Sequence, residues 1–263
     1  MTTYAPAVMA LVRREIVRFW RERTRVVGAV LQPLIFWAFF GGGLAASFRL
    51  PGGGPGYGAW LFPGTVVLVL LFTAIFSTIS VIEDRREGFL QGALVAPVPR
   101  AVIVLGKILG GTTLATLQAG AILLAGPLVG VRAEPAAVAR ALVLVVIIGF
   151  ALTSLSFAIA WRMRSTQGFH AIMTAFLMPL WLLSGAFFPA AGAPLWLGWL
   201  MTINPLTYGV AALRHALGPA AGGGAASGLP AAAPALVLTM IFMVASFAAA
   251  LLVARRADGA APA

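Results

Sequence analysis

No cysteine occurs in the 263 residues, and only seven side chains are acidic. Without thiols the chain has no disulfide and no thiolate nucleophile or metal ligand. Its two histidines, His170 and His215, are far apart in sequence and fall on segments expected at opposite membrane faces, so no cluster has metal-ligand spacing. Charged residues make up 10% of the chain, against roughly 25% in soluble domains, while 61% are apolar. A water-soluble core is the wrong expectation, and an integral membrane protein is the right one. The acids Glu15, Glu22, Glu83, Asp84, Glu87, Glu134 and Asp258 all lie outside the apolar runs. A proton- or sodium-coupled carrier would be expected to place a carboxylate inside one. Nucleotide binding within this chain has no support either. "VLGKIL" around Lys107 lacks the upstream glycine and following Ser or Thr of a phosphate-binding loop, so Lys107 is expected to snorkel to a membrane face. Ser184 in "LLSGAFFP" has no partner base in view, and its hydroxyl is expected to bond a preceding-turn carbonyl or a neighbouring helix. The chain is expected to be no enzyme and to hold no cofactor or metal.

What the sequence has is long apolar runs and a basic excess. Six segments, 26–48, 59–82, 102–129, 141–161, 169–188 and 235–254, are each long enough to cross about 30 Å of hydrocarbon. The run after Arg25 exceeds the roughly 7–15 residues of a signal core and is expected to stay as an anchor. The net charge of +11 sits at segment ends, where it orients helices rather than binding nucleic acid. With both termini cytoplasmic, all but four of the 18 basic residues, Arg49, Arg132, Arg140 and Arg214, fall on the cytoplasmic side. A seventh crossing through 195–217 would weaken that bias. The stretch 189–217, cut by Pro189, Gly192, Pro194 and Pro205, is therefore read as external re-entrant half-helices, tolerated at membrane depth only against protein or a wet cavity. The segments 50–58 and 220–234 read as turn-rich linkers.

Residues 8–25 place Val8, Val12, Ile16, Phe19 and Trp20 on one helical stripe and Arg13, Arg14, Arg18, Arg21 and Arg25 on the other side. This predicts an amphipathic helix in the membrane interface, in contact with lipid. Between the second and third spans, "VIEDRREGFLQGALVAPVPR" (81–100) concentrates Glu83, Asp84 and Glu87 with Arg85 and Arg86. It continues through Gly88, Phe89, Leu90 and Leu94 and stops at Pro97 and Pro99. From pattern alone it is either a short cytosolic docking helix or a solvated loop whose arginines set topology. Gly41, Gly42 and Gly43 in the first span, and Gly106, Gly110 and Gly111 in the third, suit close helix packing. Gln32-Pro33 suits a kink.

The order of these parts, a basic interfacial helix, two spans, "EDRREG" with its following leucines and prolines, then "LGK", "LSGAFFP" and "INPLTYGVAALRHAL", resembles the permease subunits of type-2 ATP-binding-cassette exporters. This is the family of bacterial drug, polysaccharide and lipo-oligosaccharide export permeases, and the likeness spans about residues 8–256. It implies a single all-α permease domain of six spans in the bacterial cytoplasmic membrane. Residues 83–100 would form a coupling helix seated on a separately encoded cytosolic ATPase, which would carry the ATP and magnesium. Glu15, Arg18 and their neighbours on the interfacial helix would contact the same subunit. Ser184, Gly185, Pro189, Pro205, Tyr208 and Arg214 match the family's exit-side motif. Two permeases, identical or homologous, would pair. No large external domain is present, which places the chain among compact exporters. Two other classes remain open on sequence: a membrane scaffold whose charged loop recruits a partner, and a gradient-driven carrier.

Overall fold

Apolar runs of this length become helices because a bilayer offers no partner for backbone N–H and C=O groups, and a helix satisfies them internally. The computed structural model describes residues 4–44, 56–95, 97–191, 193–222 and 228–256, and every regular element among them is helical. These elements are α1 (Ala5–Arg21), α2 (Arg23–Gly43), α3 (Tyr57–Arg86), α4 (Phe89–Val95), α5 (Arg100–Leu124), α6 (Pro135–Ala160), α7 (Thr166–Trp181), α8 (Leu195–Ile203), α9 (Pro205–Leu217) and α10 (Ala232–Arg256). Among the described residues six helices, α2, α3, α5, α6, α7 with its following turn, and α10, are long and apolar enough to cross a membrane.

Local chemistry sets several ends. Pro135 opens α6 and Pro205 opens α9, where a missing N–H costs nothing. Ser165 Oγ caps α7 by accepting from Gly168 N at 3.2 Å, and Asn204 Oδ1 caps α9 by accepting from Leu206 N at 2.9 Å. α7 runs into a π-type turn, Leu182–Ala186, which Gly185 closes with a φ of 74°. A side chain would strain that conformation.

Each of the six expected spans falls on one of these helices with shifted bounds, and residues 45–48 of the first lie outside the described residues. The second reaches Arg86 rather than residue 82, so Glu83–Arg86 form the last helical turn of α3 and not part of a loop. Only Phe89–Val95 of the expected 83–100 segment is a separate helix. The third ends at Leu124, followed by a 3-10 turn over Gly126–Val129. The expected interfacial helix 8–25 is broken at Glu22, where α1 stops and α2 begins one residue later. Most of the 50–58 linker and residues 223–227 lie outside the described residues.

α3 is the central pillar. Nearly all of it is buried, packed against α2, α5 and α6. α2 and α10 are the outer helices, with Leu31, Ile35, Phe39, Val237, Ile241 and Val244 exposed. The end of α3 gathers α1, α4, the start of α5 and the α6–α7 loop. Arg100 at the start of α5 donates to Ala254 O at 3.1 Å, bringing the end of α10 to the same place. This charged end is termed the ionic end. The opposite end holds the start of α3, the turn after α7, and the close of α9.

Candidate functional site

At the ionic end, five of the seven acids meet four cations. Lys107 on α5 is buried, and its Nζ donates to Glu15 Oε1 at 2.8 Å and to Asp84 Oδ2 at 2.5 Å. Asp84, fully buried, also accepts from Arg14 at 2.6 and 2.8 Å and from Arg18 at 2.5 Å. Ser80 Oγ donates to Glu15 Oε2 at 2.6 Å. Arg18 continues to Glu83 at 2.9 Å and Glu87 at 3.1 Å. Arg25 pairs with Glu83 and, at 2.6 Å, with Glu22, closing the break between α1 and α2. Burial alone would lower the Arg14 guanidinium, but the hydrogen bond and charge of Asp84 reverse this and hold it above its ordinary value.

Glycines let α1 come close enough to make these bonds. A Cβ on Gly106 would stand 2.7 Å from Leu11 Cβ, and one on Gly110 would stand 2.7 Å from Glu15 Cβ. The Gly106-x3-Gly110 face of α5 is thus the seat of α1. The stripe expected to lie on lipid is split: Phe19 is buried in the protein while Trp20 is 53% exposed. α1 is consequently a docked helix whose inner face carries Leu11, Glu15 and Phe19. Of the other glycines, Gly41 packs beside Gly58 and Gly111 against Ser77 and Thr153, whereas Gly42 and Gly43 face open space. Pro33 is buried within α2 and Gln32 is exposed.

Three expectations change here. Lys107 does not snorkel outward but joins two buried carboxylates, because they offer a charge-assisted bond that replaces water. Glu15 and Asp84 are not surface groups, since both are consumed in the ion cluster. Arg85 donates to Met163 O at 2.9 Å and to Trp161 O, and Arg86 Nε donates to Arg164 O at 3.1 Å. They bind the chain that follows α6. Among the described residues of the 83–100 segment, Arg86, Glu87, Phe89, Gln91, Gly92, Val95, Pro97 and Pro99 are exposed and Leu90 is buried. Arg14 lies over the Phe89 ring at 3.6 Å, linking α4 to α1. Arg13, Val17, Trp20 and Arg21 are exposed on the outer face of α1.

Beside this cluster a cavity of about 470 Å³ lies between α2, α3 and α7, lined by Arg25, Phe76, Glu83, Thr166, Gln167 and His170. The His170 and Phe76 rings stack at 5.6 Å. Among the described residues no group of three or more His, Cys, Asp or Glu is placed to hold a metal ion.

At the opposite end Arg214 is 1% exposed and pairs with no carboxylate within 4 Å among the described residues. It donates to Trp60 O at 2.8 Å, Ala221 O at 2.9 Å and Gly185 O at 3.1 Å, with its guanidinium 3.7 Å from the Trp60 ring centroid. Its planar fork thereby joins the start of α3, the π-type turn and the segment after α9. Ser184 Oγ donates to Trp181 O at 2.5 Å, a local bond of the expected kind. Trp181 Nε1 donates to Gly64 O at 2.7 Å. Asn204 Nδ2 donates to Leu180 O at 2.6 Å, and Tyr208 OH donates to Thr202 O at 2.8 Å, tying α9 to α7 and α8. Ser184, Gly185 and Arg214 thus meet at one turn, whereas Tyr208 bonds α8, Pro205 opens α9 and Pro189 follows the turn in sequence. The anchoring roles of Trp60, Trp181 and Asn204 were missed in sequence; the Asn-Pro step was the available signal for Asn204.

These features define a multi-pass helical membrane protein organised around a structural ion cluster at one end and an arginine-tied turn at the other. A family model described as ABC-2 type transporter matches residues 6–217. The chain belongs to that family. It is 27% identical over 213 residues to the putative transport permease ycf38 of Porphyra purpurea, covering 79% of this chain and 72% of the relative. Over 203 residues it is 29% identical to Nodulation protein J of Sinorhizobium fredii, covering 76% and 77%. Over 226 residues it is 22% identical to the daunorubicin resistance ABC transporter permease protein DrrB1 of Streptomyces coeruleorubidus, covering 84% and 78%.

Proposed function

We propose that this chain is the membrane-spanning subunit of an ATP-driven exporter, working in pairs and powered by a separate cytosolic ATPase that holds ATP and magnesium. The observation that carries the reading is α4, a short helix between two spans that presents Phe89 and Val95 to solvent and meets α1 through Arg14. Exposed apolar residues near Glu87 in sequence, with Arg13 and Arg21 exposed on α1, suit a protein partner. The ionic end faces the cytoplasm on this reading, in the bacterial inner membrane, with both termini on that side. The ATPase seats on α4 and α1, and Glu15, Glu83, Asp84 and Arg18 act behind the contact by holding α1, α3 and α5 as one body. ATPase closure then moves that body as a unit.

The cavity beside Phe76 and His170 suits entry of an amphipathic compound, because aromatic rings and polar groups share its wall. At the other end, α8 and α9 extend about 14 and 20 Å at ~1.5 Å per residue, too little to cross the bilayer, and fold as a re-entrant pair on Arg214. The relative named for daunorubicin resistance supports a hydrophobic or amphipathic export substrate. Coexpression with the ATPase, followed by pull-down with wild type and Phe89→Asp, tests this. Loss of the ATPase from a normally folded Phe89→Asp protein is expected; retention with normal transport overturns the docking surface. A scaffold predicts no ATPase stimulation by substrate, and a gradient carrier predicts transport stopped by uncouplers and indifferent to ATP.

A further inference from the structure

Between α6, α9 and α10, toward the Arg214 end, a groove of about 390 Å³ falls within the roughly 300–1,000 Å³ typical of ligand sites. Its walls are mostly apolar, with Val143, Leu144 and Ile147 from α6 and Leu236 from α10; Arg140 and His215 are its titratable groups. It exists because Ala212, Ala216 and Ala232 keep the facing surfaces small, and because α9 ends at Leu217 and the chain turns away at Gly218, whose φ is 80°. Arg140, Val143, Leu144 and Ile147 share one face of α6 at helical spacing. Since α6 begins at Pro135, the cation lies nearer the membrane surface and the hydrocarbon walls follow it inward. Arg140 is exposed and makes no hydrogen bond or ion pair with any described residue. His215, with Nε2 2.9 Å from Pro230 O, is already partnered.

We propose that this groove binds one anionic phospholipid from the leaflet at the Arg214 end, its phosphate on Arg140 and an acyl chain along Val143, Ile147 and Leu236. The order of polarity in the groove matches that of a lipid, and a free arginine at its mouth favours a negative headgroup over a zwitterionic one. Occupancy fills the space beside α9 and steadies the element that carries Arg214. The inference rests on the membrane-spanning reading and not on the exporter assignment, so either can fail without the other.

The test is native mass spectrometry of the purified full chain, titrated with palmitoyl-oleoyl phosphatidylglycerol or the phosphatidylcholine of the same chains. Wild type is expected to retain the first phosphatidylglycerol about fivefold better: both lipids offer Arg140 a phosphate, but only phosphatidylglycerol brings a net negative charge to it. Arg140→Gln, an exposed change, should abolish that preference, while Arg132→Gln, a change at an exposed residue outside the groove, should keep it. Ala216→Phe should weaken retention of both lipids. Equal retention of the two lipids by wild type, or a preference unchanged in Arg140→Gln, overturns the proposal. So does an Ala216→Phe protein whose lipid binding is intact but whose dimer mass is lost, since the groove would then seat a second copy.

Discussion

Replacing Lys107 with Met removes the buried cation that joins Glu15 to Asp84, leaving the partly exposed Arg14 as the other cation that touches both, while keeping a side chain of similar length. The two carboxylates are left unequal. Asp84 retains Arg14 and Arg18 at 2.5–2.6 Å, whereas Glu15 retains Arg14 at 3.2 Å and the Ser80 hydroxyl. The uncompensated charge therefore sits on Glu15, and removing one partner of a buried pair costs about 3–5 kcal/mol. Adding Glu15→Gln to Lys107→Met removes that charge and should recover more than half of the loss, because an amide still accepts from Ser80. Thermal unfolding in mild detergent, followed by fluorescence-detected size exclusion, reads the order directly: wild type highest, the double variant next, Lys107→Met lowest. Arg13→Ala, at an exposed position on α1, should leave the midpoint unchanged. A double variant no more stable than the single would refute the claim that Glu15 is the group left stranded.

Gly110→Leu should free α1 from α5, since even a Cβ there meets Glu15; faster proteolysis of residues before Glu22, with the spans intact, would show it. Gly185→Ala should cost roughly 1–2 kcal/mol from its left-handed backbone, measurable as a lower unfolding midpoint, and an unchanged midpoint would dismiss the strain. Arg214→Gln keeps some bonds to the three carbonyls but loses the charge over Trp60, so transport should fall further than membrane insertion at equal expression. Export equal to wild type would remove Arg214 from the transport mechanism. Reversing Glu83 and Asp84 together should detach α1 as well as any docked ATPase, whereas reversing Glu87 alone, at a side chain 58% exposed, should leave stability intact.

The spans were legible because bilayer thickness and backbone hydrogen bonding permit few solutions for an apolar run of that length. Their ends were less so. Asp84 looks like a loop residue in sequence because charge normally marks a span's limit, yet α3 carries it one turn further, where Lys107 and two arginines replace its water. Glu15 and Asp84 are distant in sequence, so their meeting on Lys107 depends on Gly106 and Gly110 admitting α1, a tertiary fact that no local pattern contains. The same holds for Phe19 and Trp20: adjacent on a helical stripe, they are separated by which neighbour α1 packs on. Arg214 was recognisable through its motif, but its three carbonyl partners come from α3, the turn after α7 and the segment after α9.

Purification of this chain from its native membrane with whatever soluble subunit accompanies it, followed by an ATPase assay, tests the exporter reading most directly. The account predicts a co-purifying, vanadate-sensitive ATPase that is lost with Phe89→Asp and stimulated by amphipathic compounds. A chain that purifies without any ATPase under gentle detergent, and transports only while an ion gradient is maintained, would contradict it.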